Sequence, residues 1–246
     1  MTPPSPAGEP IARLAEASVL VIGAGALGCA AADALGAAGA RRLTLVDDDR
    51  VERSNLHRQL LHRARDLGRP KVASARDALA ARHPALATAI APVRFAADNA
   101  AALVRGHACV IDATDGLATK FLVNDLAVGL GAPLVHAGIV RFQGQLMTIL
   151  PGVSACYRCL FGAPPPEGSV PSCQEAGVLG SLAGTIGMLQ AAEAIRIVTT
   201  GALLADRLLT YDGLTGRFRH VKLRRNPACP TCRHVVAPVA ARASNG

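Results

Sequence analysis

The chain has 246 residues, 50% of them hydrophobic and 18% charged, which fits one large globular domain with or without an appendage. Its formal net charge of +8 is dispersed and only 3% of residues are aromatic, which argues against nucleic-acid binding by stacking and favours an acidic protein partner and a nucleotide. No signal-peptide pattern opens the chain, and its longest mostly apolar stretch, 178–198, contains Gln190, Glu193 and Arg196. We therefore expect a soluble, cytoplasmic protein without a membrane span.

Strands and helices alternate along most of the chain. Residues 1–10 are Pro-rich and are predicted to be disordered. Helices are predicted at 11–17, 29–39, 71–83, 99–105, 119–129 and 179–199. Strands are predicted at 18–23, 43–46, 88–95, 108–112, 133–138 and 145–150, with a hairpin at 208–212 and 217–223. This order predicts an α/β fold: a Rossmann-like, doubly wound, mostly parallel sheet with a C-terminal, zinc-bound and partly antiparallel extension.

The first predicted strand runs into a glycine turn, Gly23-Ala-Gly25-Ala-Leu-Gly28, that opens a helix. Such a turn brings the backbone close to a phosphate, and the helix N-terminus supplies free N–H groups. Asp47 ends the second strand about 20 residues later, where an acid usually binds ribose hydroxyls. These features predict a nucleotide site, although an oxidoreductase would explain the glycine turn equally well. For the glycines alone, plain helix–strand packing is a further alternative.

The polar loop after Asp47 favours phosphoryl or adenylyl transfer. It contains Asn55, Arg58 and Gln59, and Lys71 follows it. Arginine and lysine neutralise phosphate oxygens as pyrophosphate leaves. We therefore expect Arg58 and Lys71 to bind a triphosphate while Asn55 and Gln59 orient it; for each residue alone, a plain surface position is the alternative.

Asp115 lies just beyond the strand that ends at Asp112. Because strand carboxyl ends face the ligand crevice of a doubly wound sheet, this carboxylate is predicted to bind Mg²⁺ on the phosphates. The alternative is a capping role, since Thr114 and Asp115 precede a helix.

The chain has seven cysteines. In the reducing compartment expected for this protein, they indicate metal binding or catalytic chemistry rather than disulfides. Cys156-x-x-Cys159 and Cys229-x-x-Cys232 form two knuckles that predict a four-thiolate, structural Zn²⁺ site. Unconnected surface cysteines or a redox pair are the alternatives. Cys173 is the odd thiol, either a nucleophile or sulfur carrier or an exposed cysteine without a role.

Together these motifs resemble those of the MoeB/ThiF/HesA adenylyltransferases, the bacterial relatives of ubiquitin-activating enzymes, over about residues 11–232. The matching motifs are Gly23-x-Gly25-x-x-Gly28, Asp47-x-Asp49-x-Val51-x-x-Ser54-Asn55-Leu56-x-Arg58-Gln59, Lys71, Thr114-Asp115, Cys156-Tyr-x-Cys159, Cys173-x-x-x-Gly177-Val-Leu-Gly180, Gln190-Ala-x-Glu193 and Asn226-Pro-x-Cys229-Pro-x-Cys232. The Ser-Asn-Leu-x-Arg-Gln run and the four knuckle cysteines are specific, whereas the glycine turn is not.

The resemblance implies an enzyme that uses ATP to adenylate the C-terminal glycine of a small ubiquitin-like sulfur carrier, MoaD- or ThiS-like and ending in Gly-Gly. Pyrophosphate leaves, and the carrier serves molybdopterin, thiamine or related biosynthesis. A homodimer is implied, as is a separate sulfur donor such as a cysteine desulfurase or rhodanese. The implied ATP site comprises Gly23, Gly25, Gly28, Asp47, Asp49, Asn55, Arg58, Gln59, Lys71 and Asp115, with Mg²⁺ on Asp115. One adenylation domain is expected at 11–234, divided into a nucleotide-binding half at 18–150 and a zinc- and carrier-binding part at 151–234, with a tail at 235–246.

The sequence departs from the family pattern at three places. Ala26 replaces a glycine of the turn, Gly116 stands where an asparagine usually follows the aspartate, and residues 1–10 contain no arginine. Family members often carry an N-terminal arginine that reaches the partner subunit's ATP site, so we expect another arginine in that role or weaker adenylation. Two alternatives follow: a non-catalytic scaffold that binds ATP and carrier, and an NAD-dependent oxidoreductase.

Overall fold

A computed structural model of the chain describes residues 8–166 and 177–236. The helices within these ranges are α1 (Gly8–Glu16), α2 (Ala26–Ala37), α3 (Lys71–Arg82), α4 (Ala100–Val104), α5 (Leu117–Gly129), α6 (Tyr157–Phe161) and α7 (Gly180–Thr199). The strands are β1 (Ser18–Ile22), β2 (Arg42–Val46), β3 (Ala87–Ala91), β4 (Cys109–Asp112), β5 (Leu134–Val140), β6 (Gln143–Ile149), β7 (Arg207–Asp212) and β8 (Arg217–Lys222). Two single 3₁₀ turns, Arg53–Asn55 and Ala64–Asp66, lie in the polar loop before α3.

The eight strands form one sheet in the order β3-β2-β1-β4-β5-β6-β7-β8. The first five strands run parallel to one another, and β6, β7 and β8 join as antiparallel strands. The predicted α/β fold with a mostly parallel sheet is therefore confirmed. The chain reverses its direction of winding between β1 and β4, and the carboxyl ends of strands at such a point form a crevice.

Helices cover both faces of the sheet, as the alternation of side chains along β1 illustrates. Val19 and Val21 pack in one core cluster with residues of α2, α3 and α7, whereas Leu20 and Ile22 pack in a second cluster with residues of α4 and α5. All four side chains are buried, as expected for a central parallel strand.

Several element boundaries differ from the sequence predictions, and prolines bear on two of them. Helix α1 begins at Gly8, inside the range predicted to be disordered. Pro10 lies in the first turn of α1. Backbone N–H groups in a first turn have no partner within the helix, so proline, which lacks an N–H, is tolerated there. Strand β3 ends at Ala91 instead of residue 95, because Pro92 cannot donate to a strand ladder.

Helix α7 is the predicted 179–199 helix, and its polar residues attach it to the sheet. Gln190 Nε2 donates to the carbonyl oxygen of Asp112 at 2.8 Å. Glu193 Oε2 accepts from the hydroxyl of Thr148 at 2.7 Å and from the N–H of Leu204 at 3.0 Å. Among the described residues, no helix has the length and apolar character that a membrane crossing requires.

Candidate functional site

A cavity of about 430 Å³ lies at the carboxyl ends of β1, β4 and β5. It is lined by seven of the predicted nucleotide-site residues: Gly25, Asp49, Asn55, Arg58, Gln59, Lys71 and Asp115. These residues come from four separate stretches of the chain, which the sheet topology brings to one crevice. Gly23, Gly28 and Asp47 do not line it.

The outer two glycines of the turn shape the backbone behind the cavity. Gly23 has a φ of +99°, which only glycine adopts readily. A Cβ on Gly28 would lie 1.8 Å from the carbonyl oxygen of Gly23, so α2 could not approach β1 with a larger residue there. Gly23 and Gly28 thus serve the packing of helix on strand, which was the alternative explanation for the glycines. Gly25 faces the cavity.

Asp47 supports the glycine turn from the end of β2. Its Oδ2 accepts from the N–H of Ala24 at 2.6 Å, and its Oδ1 accepts from the N–H of Asp49 at 2.8 Å. Burial raises the pKa of this carboxyl, against the opposing charge of Lys71. Each carboxylate oxygen has a second lone pair, so a ribose hydroxyl can still be accepted.

Lys71 is the first residue of α3, and its ammonium group is held by Asp49. Lys71 Nζ lies 2.6 Å from Asp49 Oδ2, with the lysine side chain 8% exposed and the aspartate side chain 66% exposed. The N–H of Lys71 also donates to the carbonyl oxygen of Asp49. The lysine is therefore aimed and fixed before any anion enters the cavity.

Arg58 is oriented by its own loop. Its Nη2 donates to Asn55 Oδ1 at 3.0 Å, and its Nη1 donates to the carbonyl oxygen of Ser54 at 3.1 Å. Gln59 is buried, and its Oε1 has no hydrogen-bond partner among the described residues. An unpaired buried amide oxygen beside a cavity fits a site that a ligand completes.

Asp115 is exposed at the cavity, between β4 and α5. The N-cap of α5 is Gly116, and no side chain caps it, so Asp115 does not have the capping role considered as an alternative. No side chain among the described residues pairs with this carboxylate, which has the chemistry to coordinate Mg²⁺ on a nucleotide.

The four knuckle cysteines converge. Cys156 Sγ lies 3.8 Å from Cys159 Sγ and 3.6 Å from Cys229 Sγ. The Sγ atoms of Cys159 and Cys232 are 3.5 Å apart. A tetrahedron with Zn–S bonds of about 2.3 Å has S–S edges of about 3.8 Å, so the thiolates fit Zn²⁺. Asp125 of α5 accepts from Arg158 and Thr231, one from each knuckle, which ties both to the domain. Cys173 lies outside the described residues.

A buried polar cluster beside the cavity was missed by the sequence predictions. Asp112 Oδ2 lies 2.8 Å from His136 Nδ1 and 3.5 Å from Lys120 Nζ, and all three residues are buried. Burial opposes ionisation of Asp112, but the positive charge of Lys120 lowers the pKa of that carboxyl to about 2. Lys120 also lines the cavity. An aspartate at the end of an apolar strand was the one signal available, since its partners are distant in sequence.

Arg13, the first arginine of the chain, does not line the cavity. It belongs to α1, and its Nη1 donates to the carbonyl oxygen of Thr199 at the end of α7. The arginine nearest to the predicted N-terminal position thus connects α1 to α7. Among the cavity's lining residues, the guanidinium groups are those of Arg50 and Arg58.

Known proteins resemble this chain in sequence and fold. Residues 6–231 match the family model described as ThiF family. A sulfur carrier protein adenylyltransferase of Thermus thermophilus is 47% identical over 226 residues, which cover 89% of this chain and 83% of that protein. The SAMP-activating enzyme E1 of Haloferax volcanii is 43% identical over 221 residues, covering 89% and 82%.

Other relatives are longer or more distant. The adenylyltransferase and sulfurtransferase MOCS3 of Mus musculus is 45% identical over 222 residues, which are 89% of this chain and 48% of that protein. The crystal structure of E. coli MccB with ATP has a TM-score of 0.82 at 19% identity, covering 93% of this chain and 71% of that one. At that identity the likeness concerns the fold alone.

Proposed function

This chain belongs to the ThiF family, and on that premise we propose that it is an ATP-dependent adenylyltransferase that activates the C-terminal glycine of a small ubiquitin-like sulfur carrier. The observation that carries the proposal is the cavity in which Arg58, Lys71 and Asp115 meet beside Gly25. The NAD-dependent alternative is not favoured, because relatives 43–47% identical over most of the chain are named as an adenylyltransferase and an activating enzyme.

ATP would lie with its phosphates between the Gly25 turn and the cations. Asn55 and Gln59 border the same space and would fix the nucleotide's orientation. Asp47 lies outside the lining residues and would accept a ribose hydroxyl with a lone pair that its bonds to Ala24 and Asp49 leave open. Asp49 would act through Lys71, which it holds at 2.6 Å. Glycines 23 and 28 would contribute by shaping the turn.

The reaction requires positioning and charge neutralisation rather than a protein nucleophile. An oxygen of the carrier's terminal carboxylate attacks the α-phosphorus of ATP, and the bond to the bridging oxygen of the β-phosphate breaks. The acyl-adenylate keeps AMP, and the electron pair leaves with pyrophosphate. Arg58 and Lys71 would neutralise the charge that grows on the leaving group.

Two metal ions belong to the proposal. Asp115 is the carboxylate that would hold Mg²⁺, which when bound would neutralise phosphate charge. Cys156, Cys159, Cys229 and Cys232 would hold Zn²⁺ in a structural role, because four thiolates leave no open position on the ion. That site would join the segment after β6 to the C-terminal part of the domain.

The proposed partners are a carrier ending in Gly-Gly, a second copy of this chain and a separate sulfur donor such as a cysteine desulfurase or rhodanese. The formal charge of +8 suits an acidic carrier surface. Molybdopterin, thiamine and related pathways all use such carriers. Cys173 would act in a sulfur step after adenylation.

ATP–pyrophosphate exchange with a panel of carriers ending in Gly-Gly tests the proposal. We expect exchange that depends on one carrier and is abolished when that carrier lacks its last glycine, which serves as the matched control. ATP binding without exchange for any carrier would support the scaffold alternative. Absence of ATP binding would reject the nucleotide assignment altogether.

A further inference from the structure

His62 joins the three elements that form the proposed phosphate site. The imidazole lies in the same loop as Asn55 and Arg58, and the residue is 5% exposed. Its Nε2 is 3.0 Å from the carbonyl oxygen of Ala24 in the glycine turn. Its Nδ1 is 2.9 Å from the hydroxyl of Ser74, one turn after Lys71 on α3.

The chemistry of its partners determines which nitrogen of His62 carries the proton. A carbonyl oxygen only accepts, so Nε2 bears the hydrogen that is donated to Ala24. Nδ1 then accepts from the Ser74 hydroxyl. Burial lowers the pKa of His62, which keeps the ring in this neutral form near pH 7.

Both backbone polar groups of Ala24 are held by side chains. Asp47 accepts from its N–H at 2.6 Å, and His62 donates to its carbonyl oxygen, which also receives the Cys29 thiol at 3.3 Å. In a trans peptide the N–H of the next residue points opposite to this carbonyl. The carbonyl is turned into the protein, so the N–H of Gly25 is turned the other way, and Gly25 lines the cavity.

We propose that His62 is a positioning residue for ATP: it fixes the Ala24–Gly25 peptide with its N–H toward the phosphates and holds that turn in register with the Arg58 loop and the Lys71 helix. This role rests on the proposed function only in that it requires ATP in the cavity. It does not depend on which carrier is used.

Two substitutions at His62 separate its two hydrogen bonds. The amide nitrogen of glutamine reaches about the position of Nε2, so His62→Gln keeps the bond to Ala24. Asparagine reaches only about as far as Nδ1, so His62→Asn keeps the bond to Ser74 and leaves the Ala24 carbonyl without it. Ser74→Ala gives a further variant in which the imidazole keeps its bond to Ala24 but loses its second anchor.

The experiment measures the dissociation constant of ATP for the full-length chain by calorimetry without carrier, and then the KM values for ATP and carrier in pyrophosphate exchange. For His62→Asn we expect ATP binding weakened about tenfold, the scale of one buried hydrogen bond, with the KM for carrier unchanged. For His62→Gln and Ser74→Ala we expect a loss of about threefold or less, since the bond to Ala24 remains.

His107→Gln is the matched control, because this partly buried histidine bonds Thr44 and Val104 and lies outside the cavity. Its ATP affinity should equal that of the wild type. The proposal is overturned if His62→Asn binds ATP as the wild type does, if glutamine and asparagine weaken binding equally, or if ATP and carrier constants change together with the melting temperature. Wild-type ATP binding without exchange would refute the proposed function while leaving the His62 comparison valid.

Discussion

Replacing Lys71 with methionine removes one positive charge from the cavity while keeping most of the side-chain volume. Lys71 Nζ lies 2.6 Å from Asp49 Oδ2 and its side chain is 8% exposed, so its ammonium group is already fixed for an incoming phosphate. Loss of one such charge-stabilising donor lowers a rate by about a hundredfold or more. A hundredfold corresponds to about 2.7 kcal/mol of lost transition-state stabilisation.

The fold should tolerate this change. The partner that loses its cation, Asp49, is 66% exposed, so water can solvate its carboxylate. An ion pair whose carboxylate remains in water contributes about 0–1 kcal/mol, and methionine fills the apolar volume of the buried lysine stem. We therefore expect the free energy of unfolding to change by no more than about 1 kcal/mol. The Lys71→Met protein should therefore lose activity while keeping nearly the stability of the wild type.

Carrier-dependent ATP–pyrophosphate exchange at saturating ATP, together with thermal unfolding, checks this prediction. Arg76→Met is the matched control, since Arg76 is on the same helix, is 45% exposed, pairs with Asp77 and does not line the cavity. The control should exchange at the wild-type rate. A Lys71→Met protein within a few-fold of wild type, or an equal loss in both variants, would refute the assignment of Lys71 to the phosphates.

Three further substitutions test separate parts of the structure. Gly28→Ala should lower the free energy of unfolding by about 1–3 kcal/mol, because its Cβ would meet the carbonyl of Gly23, whereas Gly184→Ala, with open space around it, should not; equal melting temperatures would contradict the packing at Gly28. Cys229→Ser should reduce zinc from about one ion per chain to near none by elemental analysis and lower the melting temperature, and a folded wild type without zinc would reject the site. Cys173→Ser should leave pyrophosphate exchange unchanged, with any defect confined to later sulfur transfer, so a loss of exchange would show that this cysteine serves adenylation.

Much of the fold could be predicted from local sequence patterns. Alternating apolar runs and helical spacing identified the strands and helices, because burial of one face or both depends on residues near one another in sequence. The glycine turn, the loop with Arg58 and Lys71, and Asp115 followed from residue chemistry at the ends of predicted strands. The two Cys-x-x-Cys motifs likewise predicted one another as partners, since a four-thiolate site needs both.

The tertiary structure alone determined which of these residues face the cavity. Gly23 and Gly28 prove to shape the turn while Gly25 lines the site, a distinction that depends on the approach of α2 to β1. His62 bonds the carbonyl oxygen of Ala24, which is 38 residues away in sequence. Asp112, Lys120 and His136 meet only because β4 and β5 are neighbouring strands and α5 packs beside them. Such contacts follow from the order of strands and the packing of helices on them, which no local periodicity encodes.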